Sequence, residues 1–186
     1  MPRIDLPPSE DYSLSRVAFT TYAPEIGATA SAFSLKVYEK SLLSLREMEG
    51  ARYRTALING CNVCTNTRAG RDMAGHIGRN GGSITEGPLS RGPAPDEAFY
   101  EAVAQWQTSP LFSERERIAI ELAERMGERP HSMADDETFW ERIHAHYSDA
   151  EIVDMTLSIA SWIGLGRVVH TLELDAVCMP TFADAA

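Results

Sequence analysis

Apolar positions recur three and four residues apart through most of the chain. No stretch shows the sustained alternation that a half-buried strand needs. The pattern predicts a helix through 28–45, where good helix formers carry spaced apolar residues. Three Ser-x-x-Glu sequences mark further helix starts, because the serine and glutamate can satisfy each other's backbone N–H groups. They are Ser44–Glu47, Ser113–Glu116 and Ser148–Glu151. The first predicts a helix from Leu45 to Asn59, stopped at Gly60, with a second helix from Cys61–Asn62 to about Ile77. Residues 78–95 are rich in glycine and proline and read as a loop, followed by a helix near 96–107. The second start opens a helix to about Met126, and Glu128–His131 breaks the chain. Asp135 or Asp136 caps a helix to about His146. The third start opens a segment apolar on nearly all sides, the expected central buried helix. Gly164 and Gly166 within it each cost about 1 kcal/mol relative to alanine, which a close helix crossing would explain. The expected architecture is an all-α domain over 28–175, with an N-terminal arm over 1–27 and a C-terminal tail over 176–186.

Composition narrows the function classes. The 186 residues are 44% hydrophobic and 24% charged, a globular mix that fits one domain. A net charge of -10 disfavours nucleic acid or an anionic membrane surface as a partner, since both need a basic face. The apolar runs read as too interrupted to span a bilayer, and the first residues lack the apolar core of a secretory signal. Three cysteines without an export signal suggest a reduced, cytoplasmic setting rather than a disulfide framework.

The sharpest chemical feature is Cys61-Asn-Val-Cys64 at an expected helix start. Two sulfurs at this spacing can close a disulfide, and helix N–H groups favour a thiolate. The alternatives are two structural cysteines or a metal site. The remaining ligand types, Cys178 and the histidines at 76, 131, 144, 146 and 170, are scattered singly, and no four-ligand set is evident. Glu49 falls on the helix face of Leu45, Met48, Tyr53, Ala56 and Leu57, where a carboxylate is costly unless paired or used. It is either a proton shuttle or the ion-pair partner of Arg52, three residues on. Arg68, four residues after Cys64, is expected one turn along the same face, where its fixed charge would favour a thiolate; the alternative is a solvated surface arginine.

Together, Arg46–Glu49 and Ala56-Leu-Ile-Asn-Gly-Cys61-Asn-Val-Cys64 resemble the carboxymuconolactone decarboxylase and alkylhydroperoxidase D superfamily, with a glutamate twelve residues before the first cysteine. Phe112–Glu116, His146–Val153 and Gly164–Arg167 extend the resemblance over roughly 20–175. It implies an all-helical homo-oligomer, commonly a trimer or hexamer, acting as a cofactor-free thiol peroxidase. A hydroperoxide would be the substrate, and a dithiol protein or small thiol the reductant. Cys64 would attack the peroxide, Cys61 would resolve it, and Glu49 would join a proton relay. The relay histidine expected four residues after the second cysteine is replaced here by Arg68. A decarboxylase-like enzyme acting on a small carboxylated lactone, and a non-catalytic oligomeric redox sensor, are the alternatives.

Overall fold

The computed structural model describes residues 1–11, 13–78 and 91–175. Cys178 and most of the expected 78–95 loop lie outside that set. Ten α-helices and two short 3₁₀ turns make up the regular structure among the described residues. The helices are α1 (Leu14–Tyr22), α2 (Pro24–Lys40), α3 (Leu45–Asn59), α4 (Asn62–Asn66) and α5 (Ala69–Asp72). Then follow α6 (Ala74–Gly78), α7 (Glu97–Ala102), α8 (Glu114–Glu128), α9 (Glu137–His144) and α10 (Asp149–Thr171). The all-α architecture is as the periodicity implies. The stretch read as an arm carries α1 and the first residues of α2, where Ser13 caps α1 and a proline opens α2.

All three serine–glutamate capping boxes form. All three glutamates also accept an arginine from another helix. Arg46 of α3 reaches Glu116 of α8, and Arg115 of α8 reaches Glu47 of α3, each at 2.5 Å. Arg115 continues to Glu151 at the start of α10, at 2.8 Å. The repeated Ser-x-Arg-Glu thus starts α3 and α8 side by side and ties α10 to the same end of the bundle.

Helix α3 is the hub, packed against α8, α10 and the 3₁₀ turn after α7. Its Leu45, Met48 and Ala51 join Ile118, Leu122, Met155 and Ile159 in the main core. A second, aromatic cluster of Phe99, Tyr100, Val103, Trp106, Phe112 and Ile120 lies on another side of α3.

Two expectations about helices need correction. Helix α10 buries only one side: Ile152, Met155, Ile159 and Trp162 face the core, while Val153, Leu157 and Val168 are exposed. By length and composition alone its 23 residues could cross a bilayer, contrary to the reading of short interrupted runs. Its inner side is instead the wall of this core. Of its two glycines only Gly166 marks a close crossing. A Cβ there would lie 2.6 Å from Asn59 Nδ2, whereas nothing approaches Gly164 within 4 Å. The single helix expected from Asn62 to Ile77 is three short ones. It is interrupted at Thr67, whose extended backbone ends α4, and at Arg68, the extended residue that opens α5.

Candidate functional site

The site starts where α3 ends. Gly60 adopts the left-handed conformation (φ 67°), which favours a residue without Cβ, and the chain turns there. Cys61 follows as the N-cap of α4, and the Cys64 N–H donates to its Sγ at 3.3 Å. The two cysteines are disulfide-bonded, with their Cα atoms 5.3 Å apart. Cys61 is fully buried, whereas Cys64 is partly exposed and lines a cavity.

Beneath this segment lies a buried polar network. Glu49, fully buried, accepts from Arg52 on both carboxylate oxygens. Its Oε2 also accepts from the Tyr100 hydroxyl at 2.5 Å and the Ala69 N–H at 3.0 Å. Arg52 donates onward to the carbonyls of Cys64 and Thr67, both at 2.7 Å. Glu49 is therefore coupled to the cysteine segment through Arg52. Of the two readings of the carboxylate, the structure shows the ion pair with Arg52. Burial alone would push the Arg52 guanidinium towards its neutral form, but Glu49 outweighs it and holds the pKa above the ordinary arginine value. Burial, reinforced by the Glu49 charge, pushes the Tyr100 hydroxyl far above its usual pKa.

Arg68 stands off the Cys64 helix, because α4 ends at Asn66 and Arg68 caps α5. Its guanidinium forms a two-pronged pair with Glu97 at 3.0 and 2.8 Å. It also donates to the carbonyls of Thr65 and Thr67 and stacks 4.0 Å above the Tyr100 ring. Arg68 and Glu49 thus bracket one tyrosine, Glu49 at its hydroxyl and Arg68 over its face.

The other end of the cysteine segment is held from the C-terminal side. Asp175 Oδ2 accepts the Asn62 N–H at 2.9 Å and contacts His170 Nδ1 at 3.2 Å. Burial pushes the Asp175 pKa up, but the Asn62 and His170 contacts win and hold it below the ordinary value. His170 also lies over Gly60, its Nε2 3.4 Å from where a Cβ would be. Tyr100 and Asp175 carried no signal in the sequence. They lie 51 and 113 residues from their partners Glu49 and Asn62, and no local motif links them. Among the described residues no three His, Cys, Asp or Glu side chains converge as a metal site would require.

The cavity beside Cys64 has a volume of about 180 Å³. It lies between α2, α3, α4 and α10, with Tyr38, Val63, Trp162, Leu165 and Val169 as its apolar walls. Burial pushes the Tyr38 hydroxyl pKa up to about 12, against the opposing charge of Arg52.

The fold has a counterpart among solved structures. A protein of unknown function from Agrobacterium tumefaciens, provisionally described as an antioxidant defence protein AhpD, superposes with a TM-score of 0.62 at 23% identity. The match covers 85% of this chain and 94% of that one. The chain has the alkylhydroperoxidase D-like fold. No family model matches the sequence. Among curated proteins, the uncharacterized protein YnjA of Escherichia coli K12 is 38% identical over 58 residues, 31% of each chain. That alignment spans about a third of the relative's length, so it says nothing of the rest of either protein. Within the AhpD-like fold of this chain, the cysteine pair sits at the α3–α4 turn, between the Glu49 network and the cavity.

Proposed function

We propose that the protein is a thiol peroxidase that reduces hydroperoxides through a Cys61–Cys64 dithiol/disulfide cycle. The observation that carries this reading is the division of labour between the two sulfurs. Cys64 borders a cavity, while Cys61 is fully buried one helical turn away and bonded to it. In the dithiol form the Cys64 thiolate attacks the outer oxygen of the hydroperoxide. An S–O bond forms, the O–O bond breaks, and the departing alkoxide takes up the proton that the thiol released. Cys61 then attacks the Cys64 sulfur. An S–S bond forms, the S–O bond breaks, and the hydroxyl leaves with the Cys61 proton as water. An external dithiol, either a protein or a small molecule, returns the pair to the reduced state.

Glu49 and Arg68 serve this cycle as positioning residues. Glu49 fixes Arg52, which holds the Cys64 and Thr67 carbonyls, and Arg68 holds those of Thr65 and Thr67. The exposed Val153, Leu157 and Val168 of α10 support assembly into a homo-oligomer, a trimer or hexamer by the resemblance. Light scattering of the purified protein measures that mass.

The decisive measurement is hydroperoxide consumption with dithiothreitol as donor. Wild type should turn over and Cys64→Ser should lose essentially all activity, while Cys61→Ser, given hydroperoxide with no donor, should consume one equivalent and hold a trappable sulfenic acid on Cys64. Equal rates for wild type and Cys64→Ser would overturn the reading.

A further inference from the structure

The turn after α10 brings two ionisable side chains to the buried cysteine. Helix α10 ends at Thr171, and Glu173 adopts the left-handed conformation (φ 52°), so the chain folds back. Asp175, only 5% exposed, thereby accepts the N–H of Asn62, the residue after Cys61. His170, half exposed, contacts the same carboxylate oxygen and lies over Gly60, the residue before Cys61. Asp175 and His170 thus engage the residues on either side of Cys61.

Burial decides which sulfur a reductant meets. A dithiol reaches Cys64, which is partly exposed, and not Cys61, which is fully buried. The donor thiolate attacks the Cys64 sulfur, an S–S bond to the donor forms, and the Cys61–Cys64 bond breaks with its electron pair on Cys61. Cys61 departs as a thiolate and takes a proton from water. The second donor thiol gives up its proton and attacks the donor sulfur bonded to Cys64. That closes the donor as a disulfide and releases Cys64 as a thiolate, so two electrons have passed to the pair.

The first step is faster when the leaving sulfur is more acidic. A carboxylate beside a forming thiolate opposes its charge, and a cation beside that carboxylate offsets the opposition. Burial works against it, yet the Asn62 and His170 contacts hold the Asp175 carboxyl below its ordinary pKa, so it stays ionised through the neutral range. Histidine is the side chain that ordinarily changes charge between about pH 5 and 8. The other charged groups around the pair are committed elsewhere: Arg52 to Glu49, Arg167 to Asn59 and Gly127, and Glu173 to Arg3. Helix α4 itself has no charged residue.

We propose that Asp175 and His170 form a charge pair governing the departure of Cys61: the carboxylate opposes the thiolate that forms there, and a protonated His170 lifts that restraint. Both act through Cys61, as positioning residues. The inference rests on the disulfide cycle of the proposed function and not on hydroperoxide as the oxidant.

The test is the rate at which excess dithiothreitol opens the disulfide of the oxidised full chain, without hydroperoxide, at about pH 5.5 and about pH 8.5. Acid quenching, alkylation and mass spectrometry count the free thiols. Each rate is taken as variant over wild type at one pH, so the donor's own ionisation cancels. Asp175→Asn keeps an acceptor oxygen for the Asn62 N–H without the charge. At the higher pH it should open about three- to tenfold faster than wild type, while His170→Gln should match wild type. At the lower pH His170→Gln should open about two- to fivefold more slowly than wild type, and the advantage of Asp175→Asn should shrink. An Asp175→Asn rate at or below wild type at the higher pH would overturn the proposal, as would a His170→Gln ratio that does not change with pH. An acceleration in Asp175→Ala that Asp175→Asn does not share would also overturn it, because Asp175 would then only hold the backbone. His170→Gln alone suffices if the Asp175 variants do not fold, since that side chain is half exposed. The expected ratios in a protein that consumes no hydroperoxide sink only the peroxidase reading, and turnover with ratios of one sinks only this inference. A disulfide that dithiothreitol never opens sinks both.

Discussion

The two sides of the cysteine segment solve opposite problems. Behind it, Glu49, Arg52, Tyr100 and Ala69 form a buried network in which the carboxylate has four donors. In front, the cavity has apolar walls with the partly exposed Cys64 at its edge. The saturated side is built to stay as it is, and the apolar side leaves open space beside Cys64. Arg52 belongs to both, since it pairs with Glu49 and lines the cavity.

The contrast breaks most severely at Arg52. Arg52→Met should cost about 3–5 kcal/mol in urea unfolding, because it leaves the Glu49 charge buried and unpaired. Removing both charges in Glu49→Leu/Arg52→Met should recover part of that loss, since an apolar pair needs no partner. A double variant as unstable as the single one would show that Arg52 matters mainly through the Cys64 and Thr67 carbonyls.

Tyr100→Phe tests the saturated side more gently. It removes one hydrogen bond to a carboxylate, so about 1.5–3 kcal/mol should be lost. The tyrosines also predict an alkaline limit. Tyr38 has a folded pKa raised to about 12 from 10.0, so its contribution is complete below pH 10 and is lost as pH rises towards 12. Tyr100 is raised as well, so it acts in the same direction. Urea midpoints should be level up to about pH 10 and then fall, with a shallower fall in Tyr38→Phe. Identical alkaline profiles for wild type and Tyr38→Phe would mean that the Tyr38 hydroxyl is not held neutral by the fold.

The smallest effect belongs to the cavity. Ser161→Ala removes a hydroxyl that has no partner, so stability should stay within about 0.5 kcal/mol or rise slightly. A loss comparable to that of Tyr100→Phe would mean that Ser161 is satisfied after all, and the contrast between the two sides would disappear.

The sequence was legible where the chemistry is local. Helices α3, α8 and α10 begin at capping boxes whose partners lie three residues apart, and α3 ends at the expected glycine. The stretch after Cys64 was not legible, because a distant side chain shapes it. Arg52 takes the Thr67 carbonyl, and Asp72 takes the Arg68 N–H, so the backbone leaves the helix that periodicity suggests. The same limit applies to the site. Glu49 and the two cysteines stand out by burial pattern and spacing, and Arg52 emerges as an i, i+3 partner. Tyr100, Asp175 and the role of His170 depend on tertiary approach alone. Helix α10 misled for a different reason: apolar residues on every side indicate burial only if something covers every side, and in this chain its outer side is open.

The grip of Arg52 on the cysteine segment has a consequence for electron transfer. It holds main-chain oxygens of Cys64 and Thr67, and Asp175 holds the main-chain N–H of Asn62. None of these bonds involves sulfur, so none has to break when the disulfide opens or closes. The two oxidation states can share one backbone and differ only in how two side chains are turned. Opening or closing the disulfide thus makes no demand on these three main-chain bonds.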